Sequence, residues 1–168
     1  MYDESYLNEV VETQGELFGK ADEHIPEIDV YDFIEKYMNG RTRAYIDEGQ
    51  AYVATMSAEE LWEYFQKEDS YIPKEGRAIG GFAADWTGRF YTYYQWYYKL
   101  TSKQVVKEIP VDFIVTGYRG SVSYTHLDEK ESIEKRFLYG NQKKSWKISF
   151  YFLHCCTGSF VFRRDSCF

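Results

Sequence analysis

Trp86-Thr87-Gly88-Arg89-Phe90-Tyr91-Thr92-Tyr93-Tyr94-Gln95-Trp96-Tyr97-Tyr98-Lys99-Leu100 reads as one helix of unusual breadth. At roughly 100° per residue, Trp86, Phe90, Tyr93, Tyr97 and Leu100 fall within a narrow stripe. Tyr94 flanks that stripe on one side and Trp96 on the other. Tyr91 and Tyr98 carry the aromatic arc well beyond an ordinary core face. Gly88, Thr92, Gln95 and Lys99 form the remaining polar wedge. An apolar arc this wide means that the helix is nearly surrounded. Either it is central in the fold, or its second face meets a partner. Asp85 is the expected N-cap, and Thr101-Ser102 the expected end.

Working outward, more helices follow. Leu7, Val10, Val11, Gln14, Leu17, Phe18 and Ala21 keep helical spacing over residues 5–21. Gly15 and Gly19 weaken that helix, or let a neighbouring backbone approach. Pro26 breaks it. Asp29 is placed to cap a second helix with Val30, Phe33, Ile34, Tyr37 and Met38 on its apolar face, and Asn39-Gly40 is placed to end it. Arg41 and Arg43 follow near the negative end of its dipole. Residues 50–55 are extended or linking. Ser57 and Glu60 make a capping box for a third helix. Residues 68–81 are loop. Ser102 caps a short helix over 104–108. Pro110 opens a further one carrying Val111, Phe113, Ile114 and Val115, which Gly117 and Gly120 close. The fold class is therefore mainly α, a bundle of about five helices over residues 1–119.

Beyond residue 120 the pattern changes. Residues 127–138 have some helical period. Trp146, Ile148, Phe150 and Phe152 alternate as in a strand, and Phe160 and Phe162 follow a Thr157-Gly158 turn, so a C-terminal hairpin is expected. Charge changes too. Residues 1–119 hold 12 Lys/Arg and 22 Asp/Glu, a net of −10, whereas 120–168 hold 8 and 5, a net of +3. The domains are thus an acidic helical body, 1–119, and a basic Cys-containing tail, 120–168.

The 168 residues carry 20 basic and 27 acidic side chains, a formal charge of −7. That balance argues against a nucleic-acid or anionic-membrane binder, which needs a basic face. No run approaches the ~18 apolar residues of a spanning helix. The acidic opening Met1-Tyr2-Asp3-Glu4-Ser5 has no basic n-region or apolar core of a secretory signal. Cys155, Cys156 and Cys167 are odd in number and form no C-x-x-C pair. A reducing, cytoplasmic setting is expected.

The search for chemistry yields near misses. Gly15-x-x-x-Gly19-Lys20-Ala21 is one residue short of a phosphate loop and lacks the terminal hydroxyl. His154, Cys155 and Cys156 alternate faces of a strand and do not converge on an ion, even with His126 or Cys167 nearby. Asp22, Glu23, Glu27 and Asp29 lack the Ca²⁺-loop pattern. His24 has no evident catalytic partner. The expectation is no catalytic residue, no cofactor and no metal. Arg89 sits inside the aromatic arc, paired with a carboxylate or anchoring a partner's acidic group. Arg89, Tyr91, Trp96 and Tyr98 are the candidate partner-binding residues, because Tyr, Trp and Arg combine large contact area with a polar tip. An enzyme site built from Arg89, Tyr98 and a carboxylate is the competing arrangement.

Two stretches carry a resemblance. Tyr2-Asp3-Glu4-Ser5-Tyr6-Leu7, and Trp86 through Tyr97 followed by the Ile109-Pro110 to Tyr118 helix, resemble the N-terminal domain of helix-turn-helix (lambda-repressor-like) regulators of Firmicutes gut bacteria. Those regulators are encoded beside ADP-ribosyltransferase-like toxins. The resemblance covers 1–119 and implies an antitoxin-like, non-enzymatic protein-interaction domain, with a nearby-encoded toxin as partner and homo-oligomers left open. No helix-turn-helix follows here, so no DNA-reading residue carries over. An acidic inhibitor that occupies a nucleic-acid-binding enzyme is the alternative. Ser121-Val122-Ser123-Tyr124-Thr125-His126-Leu127-Asp128 resembles a segment found joined to unrelated neighbours in proteins from assembled metagenomes. That resemblance implies an assembly artefact over 121–168; a genuine tail with its own partner is the other reading.

Overall fold

Asp29 accepts hydrogen bonds from the backbone N–H groups of Tyr31 and Asp32, both at 3.1 Å. The second helix therefore starts where its sequence places it. The computed structural model describes residues 3–25 and 27–124. A 3₁₀ turn, Glu4–Tyr6, leads into α1 (Leu7–His24), α2 (Val30–Asn39), α3 (Arg41–Asp47), α4 (Ala51–Ala54), α5 (Ala58–Glu68), α6 (Gly81–Tyr98), α7 (Ser102–Glu108) and α8 (Val111–Tyr124). The fold is mainly helical, with no strand among the described residues; one isolated antiparallel bridge joins Ile28 to Glu75. The chain divides into two units, Met1–Gly117 and Tyr118–Phe168. The first holds the core described below; the second contains the last residues of α8. The expected hairpin over 146–162 and the residues His126, His154, Cys155, Cys156 and Cys167 lie outside the described residues.

Several boundaries follow local chemistry. Ser57 and Glu60 make both reciprocal bonds of a capping box at α5. Thr101 and Gln104 make another at α7, one residue earlier than the expected Ser102 cap. Helix α6 starts at Gly81, a turn before the expected Asp85 cap, because Gly80 at φ 95° turns the chain into it. It ends where Lys99 adopts the left-handed conformation. Gly117 and Gly120 do not close α8, which runs to Tyr124.

Two helices were not expected. Arg41–Asp47 forms α3, and residues 51–54 form α4 rather than a link. Gly40 offers α3 no side-chain cap. Asp69, at the end of α5, supplies one from across the fold. Its carboxylate accepts the N–H groups of Arg41 (2.5 Å) and Thr42 (3.0 Å) and the Thr42 hydroxyl (2.7 Å). A carboxylate there meets both the orphan donors and the positive end of the helix dipole.

The core gathers Phe18, Phe33, Tyr37, Phe65 and Tyr71, with Trp62 at its edge. Edge-to-face pairs include Phe18–Phe33 at 5.4 Å and Tyr37–Phe65 at 5.4 Å, and Phe65 stacks on Tyr71 at 4.9 Å. Such pairs add roughly 0.5–1.5 kcal/mol beyond the area they bury. The loop between α5 and α6 is tied to the start of α2. Asp29 N–H donates to the Lys74 carbonyl, Val30 N–H to Arg77, and Gly76 N–H to Glu27.

The crossing of α1 and α6 positions everything that follows. Gly88 lies so close to α1 that a methyl group in its place would sit 2.5 Å from the Gln14 carbonyl oxygen. Gly15, facing it, leaves room for the Arg89 stem; a methyl there would lie 2.7 Å from Arg89 Cγ. The glycines of the near-miss phosphate loop are thus helical residues that let two backbones meet. Thr87 and Thr92 are buried in α6, each hydroxyl donating to the carbonyl four residues back. The Gln14 amide donates to the Gly88 carbonyl at 3.0 Å.

Candidate functional site

The close contact with α1 fixes how α6 is turned. Ala84, Thr87, Gly88, Tyr91, Thr92, Tyr94 and Gln95 are buried. Three of the four residues of the expected polar wedge, Gly88, Thr92 and Gln95, therefore face inward. From the expected core stripe, Tyr97 is 49 % exposed, and Tyr93 and Leu100 are half-buried. Only Trp86 and Phe90 of that stripe are buried. The stripe is rotated outward because α1 accepts small side chains, not large ones. Backbone-to-backbone packing selects Gly, Ala and Thr at the crossing.

Phe82, Arg89, Tyr93, Trp96 and Tyr97 lie within about 100° of arc on α6 by the helical repeat; Trp86, in the same arc, is buried. Phe82 is 72 % exposed. Arg89 Nε donates to Asp85 Oδ2 at 2.8 Å, one helical turn away, and that hydrogen bond holds its pKa above the ordinary value. Lys99 Nζ lies 4.4 Å from the centre of the Trp96 ring. This stripe is the candidate site.

The four candidate partner-binding residues divide between the two sides of the helix. Arg89 and Trp96 lie on the outward stripe. Tyr91 does not: it is fully buried, and its hydroxyl donates to the Ile109 carbonyl at 2.8 Å. Burial pushes its pKa well above the ordinary tyrosine value. Tyr98 is half-buried on that same inner side, its ring 4.5 Å from that of Tyr94, and burial raises its pKa too. Tyr91 and Tyr98 are therefore not an exposed pair. Arg89 and Tyr98 project from opposite sides of α6, so the enzyme site combining them is not assembled.

Phe82 and Tyr97 were missed. Phe82 precedes the expected start of the helix, and the expected core stripe includes Tyr97. The run Ala84, Gly88, Thr92, small residues one turn apart, marks the side packed on α1, but it does not separate Tyr97 from Trp86 and Phe90, which lie on the opposite arc and are buried.

A second polar centre is buried beneath. Arg43, fully buried, donates from Nη1 to Asp47 Oδ1 at 2.8 Å and from Nη2 to Gln95 Oε1 at 2.6 Å. Gln95 donates in turn to Asp47, and the Ser102 N–H donates to Asp47 Oδ2 at 2.8 Å. The cluster ties α3, α6 and α7 together. Its donors and acceptors face one another, so it holds the fold and offers no reacting group to solvent.

Other polar residues singled out in the sequence also have structural partners. Asp22 accepts the Ile79 N–H at 2.8 Å. Among the described residues, no three His, Cys, Asp or Glu side chains are placed to hold a metal ion, and no helix is long and apolar enough to cross a membrane. The gap lined by Val10, Gln14, Tyr37, Ile46 and Leu61 has no room for a water molecule. Compared with family models, curated proteins and solved structures, the chain matches none.

Proposed function

We propose that this chain is a non-enzymatic regulatory domain that binds a protein partner, of the antitoxin-like kind carried by bacterial mobile elements. The observation that supports this reading is the outward stripe of α6. It holds Phe82 72 % and Tyr97 49 % exposed, beside half-buried Arg89, Tyr93 and Trp96. Aromatic and Arg side chains on a rigid helix are the groups that dominate binding energy at protein interfaces. The partner that the family resemblance implies is an ADP-ribosyltransferase-like toxin encoded nearby, in the cytoplasm of a Firmicutes gut bacterium.

Co-expression with the product of the gene adjacent to its own tests the reading. The two proteins should co-elute on size exclusion, and Phe82→Ser with Tyr97→Ser should separate them. Independent elution of two folded proteins overturns it.

A second reading, an acidic inhibitor of a nucleic-acid-binding enzyme, is favoured by one feature. Glu9, Glu12, Glu16 and Glu23 are exposed and fall within about 60° of arc on α1 by the helical repeat. Such binding weakens steeply with ionic strength, whereas aromatic anchoring does not.

A further inference from the structure

Tyr52 on α4 and Tyr64 on α5 meet edge to face, their ring centres 5.7 Å apart and their planes at 84°. Their hydroxyls are adjacent too: hydrogen bonding to Tyr52 is the main cause that raises the pKa of Tyr64 above the ordinary tyrosine value. The ring carbons that flank one hydroxyl are therefore brought near those that flank the other. Tyr52 is 58 % exposed and Tyr64 is half-buried, so the pair opens to solvent. Helix α4 is a single turn without a side-chain cap, and Gly49 at φ 82° precedes it. A turn that short and uncapped can make the small shift that a bond between the rings needs. Tyr45, nearby on α3, is committed elsewhere: its hydroxyl donates to Glu68 Oε1 at 3.1 Å.

Other tyrosines touch in less suitable ways. Tyr94 and Tyr98 lie 4.5 Å apart, but Tyr94 is buried and its hydroxyl donates to Glu108 Oε1 at 3.1 Å. Tyr97 and Tyr98, at 4.9 Å, are successive residues of one helix, whose side chains leave the axis about 100° apart.

We propose that Tyr52 and Tyr64 form a modification site, at which a peroxide-driven one-electron oxidant joins them into an intramolecular dityrosine that locks α4 onto α5. The site stands apart from the protein-binding reading above and does not depend on it. Each phenol gives one electron and its hydroxyl proton to the oxidant, which leaves two tyrosyl radicals. The unpaired electrons pair in a new C–C bond between two ring carbons next to the hydroxyls. The hydrogen on each of those carbons then moves to the oxygen and restores both phenols. One hydrogen peroxide takes up the two electrons and two protons and becomes two waters, so the chain loses two hydrogens. Holding both rings in one chain makes the coupling unimolecular, which favours it over pairing between chains.

The test uses the full chain, dilute, with a haem peroxidase and limiting hydrogen peroxide. The monomer should become lighter by two hydrogens and gain blue dityrosine fluorescence. Trypsin leaves residues 44–67 in one peptide, whereas cleavage after Glu59, Glu60 and Glu63 separates Tyr52 from Tyr64. After oxidation, peptides 49–59 and 64–68 should stay joined. Tyr52→Phe should cut that product by about tenfold or more, and Tyr45→Phe should leave it unchanged. In urea, where all 17 tyrosines are free to meet, the pair should lose its preference. The cross-linked chain should melt at a higher temperature, because closing the loop over 53–63 restricts the unfolded state.

A dityrosine mapped to Tyr97–Tyr98, to any other pair or between chains overturns the site. So does an equal yield from Tyr52→Phe, the same pair dominating in urea, or no dityrosine in the folded chain. An unchanged or lower melting temperature of the cross-linked chain overturns the lock.

Discussion

Removing Arg43 leaves the Asp47 carboxylate in the interior with only the Gln95 amide and the Ser102 N–H to face it. Breaking one side of a buried pair costs about 3–5 kcal/mol, because the remaining charge stays desolvated. Arg43→Met is therefore expected to lose that much stability in urea unfolding, and Arg43→Met with Asp47→Asn to lose less. Arg89→Ala provides the contrast. Its pair with Asp85 is i,i+4 and partly in solvent, so the loss should stay below about 1 kcal/mol. If Arg89→Ala proves the more damaging of the two, the structural role assigned to Arg43 is wrong.

Buried tyrosines give the chain an alkaline limit. Burial raises the pKa values of Tyr71, Tyr91 and Tyr94 above their ordinary value of 10.0. The folded state then holds these protons where the unfolded chain releases them. Their contribution to stability is complete below pH 10 and declines as pH rises from there toward the folded-state values. Phenolate absorbance near 295 nm should show an exposed class titrating near pH 10, while these three titrate only at higher pH, together with loss of helical circular dichroism. A single class of tyrosines titrating near pH 10 in a chain that is still folded contradicts the burial described here.

At the scale of elements, the α1–α6 crossing is the least forgiving contact. Gly88→Ala places a methyl group 2.5 Å from a backbone oxygen of α1, which neither helix can avoid without moving. Overpacking of this kind costs about 1–3 kcal/mol or more. At Gly81 the three atoms nearest an added methyl all belong to the side chain of exposed Glu23 rather than to backbone, so Gly81→Ala should lower the melting temperature less than Gly88→Ala. The Asp69 cap of α3 is a second element-scale test. Asp69→Ala orphans the N–H groups of Arg41 and Thr42, and a loss of about 1–2 kcal/mol in chemical unfolding is expected. A loss near zero would mean that water replaces the carboxylate.

These elements also show how far the sequence could be read. Asp29, Ser57 and the loop over 68–81 were legible because a cap or a turn is written in residues three or four apart. Helix α3 was not, because its cap comes from Asp69, 27 residues from Thr42. The orientation of α6 was not legible from its own aromatic period, since a hydrophobic stripe weighs large side chains and the crossing prefers small ones. Gly15 and Gly19 on α1 held half of that information. Ala84, Gly88 and Thr92 held the other half, and the two halves must be read together.

For the whole molecule, the described core runs from Leu7 to Val115, within the first compact unit. A chain of residues 1–124 is therefore expected to keep a helical circular dichroism spectrum and a cooperative melt close to that of the full chain. A molten, non-cooperative profile would place part of the essential core beyond residue 124. Composition and local pattern were enough to establish an acidic, mainly helical chain with the caps at Asp29 and Ser57, the loop over 68–81 and the change of composition near residue 120, because those properties depend on neighbours along the backbone. Tertiary structure alone decided that Arg43 is interior, that Tyr91 is core and that Phe82 and Tyr97 face solvent. Each of these depends on contacts such as Gln14–Gly88 and Arg43–Gln95, whose partners lie 74 and 52 residues apart, and no helical period records which distant surface a face will meet.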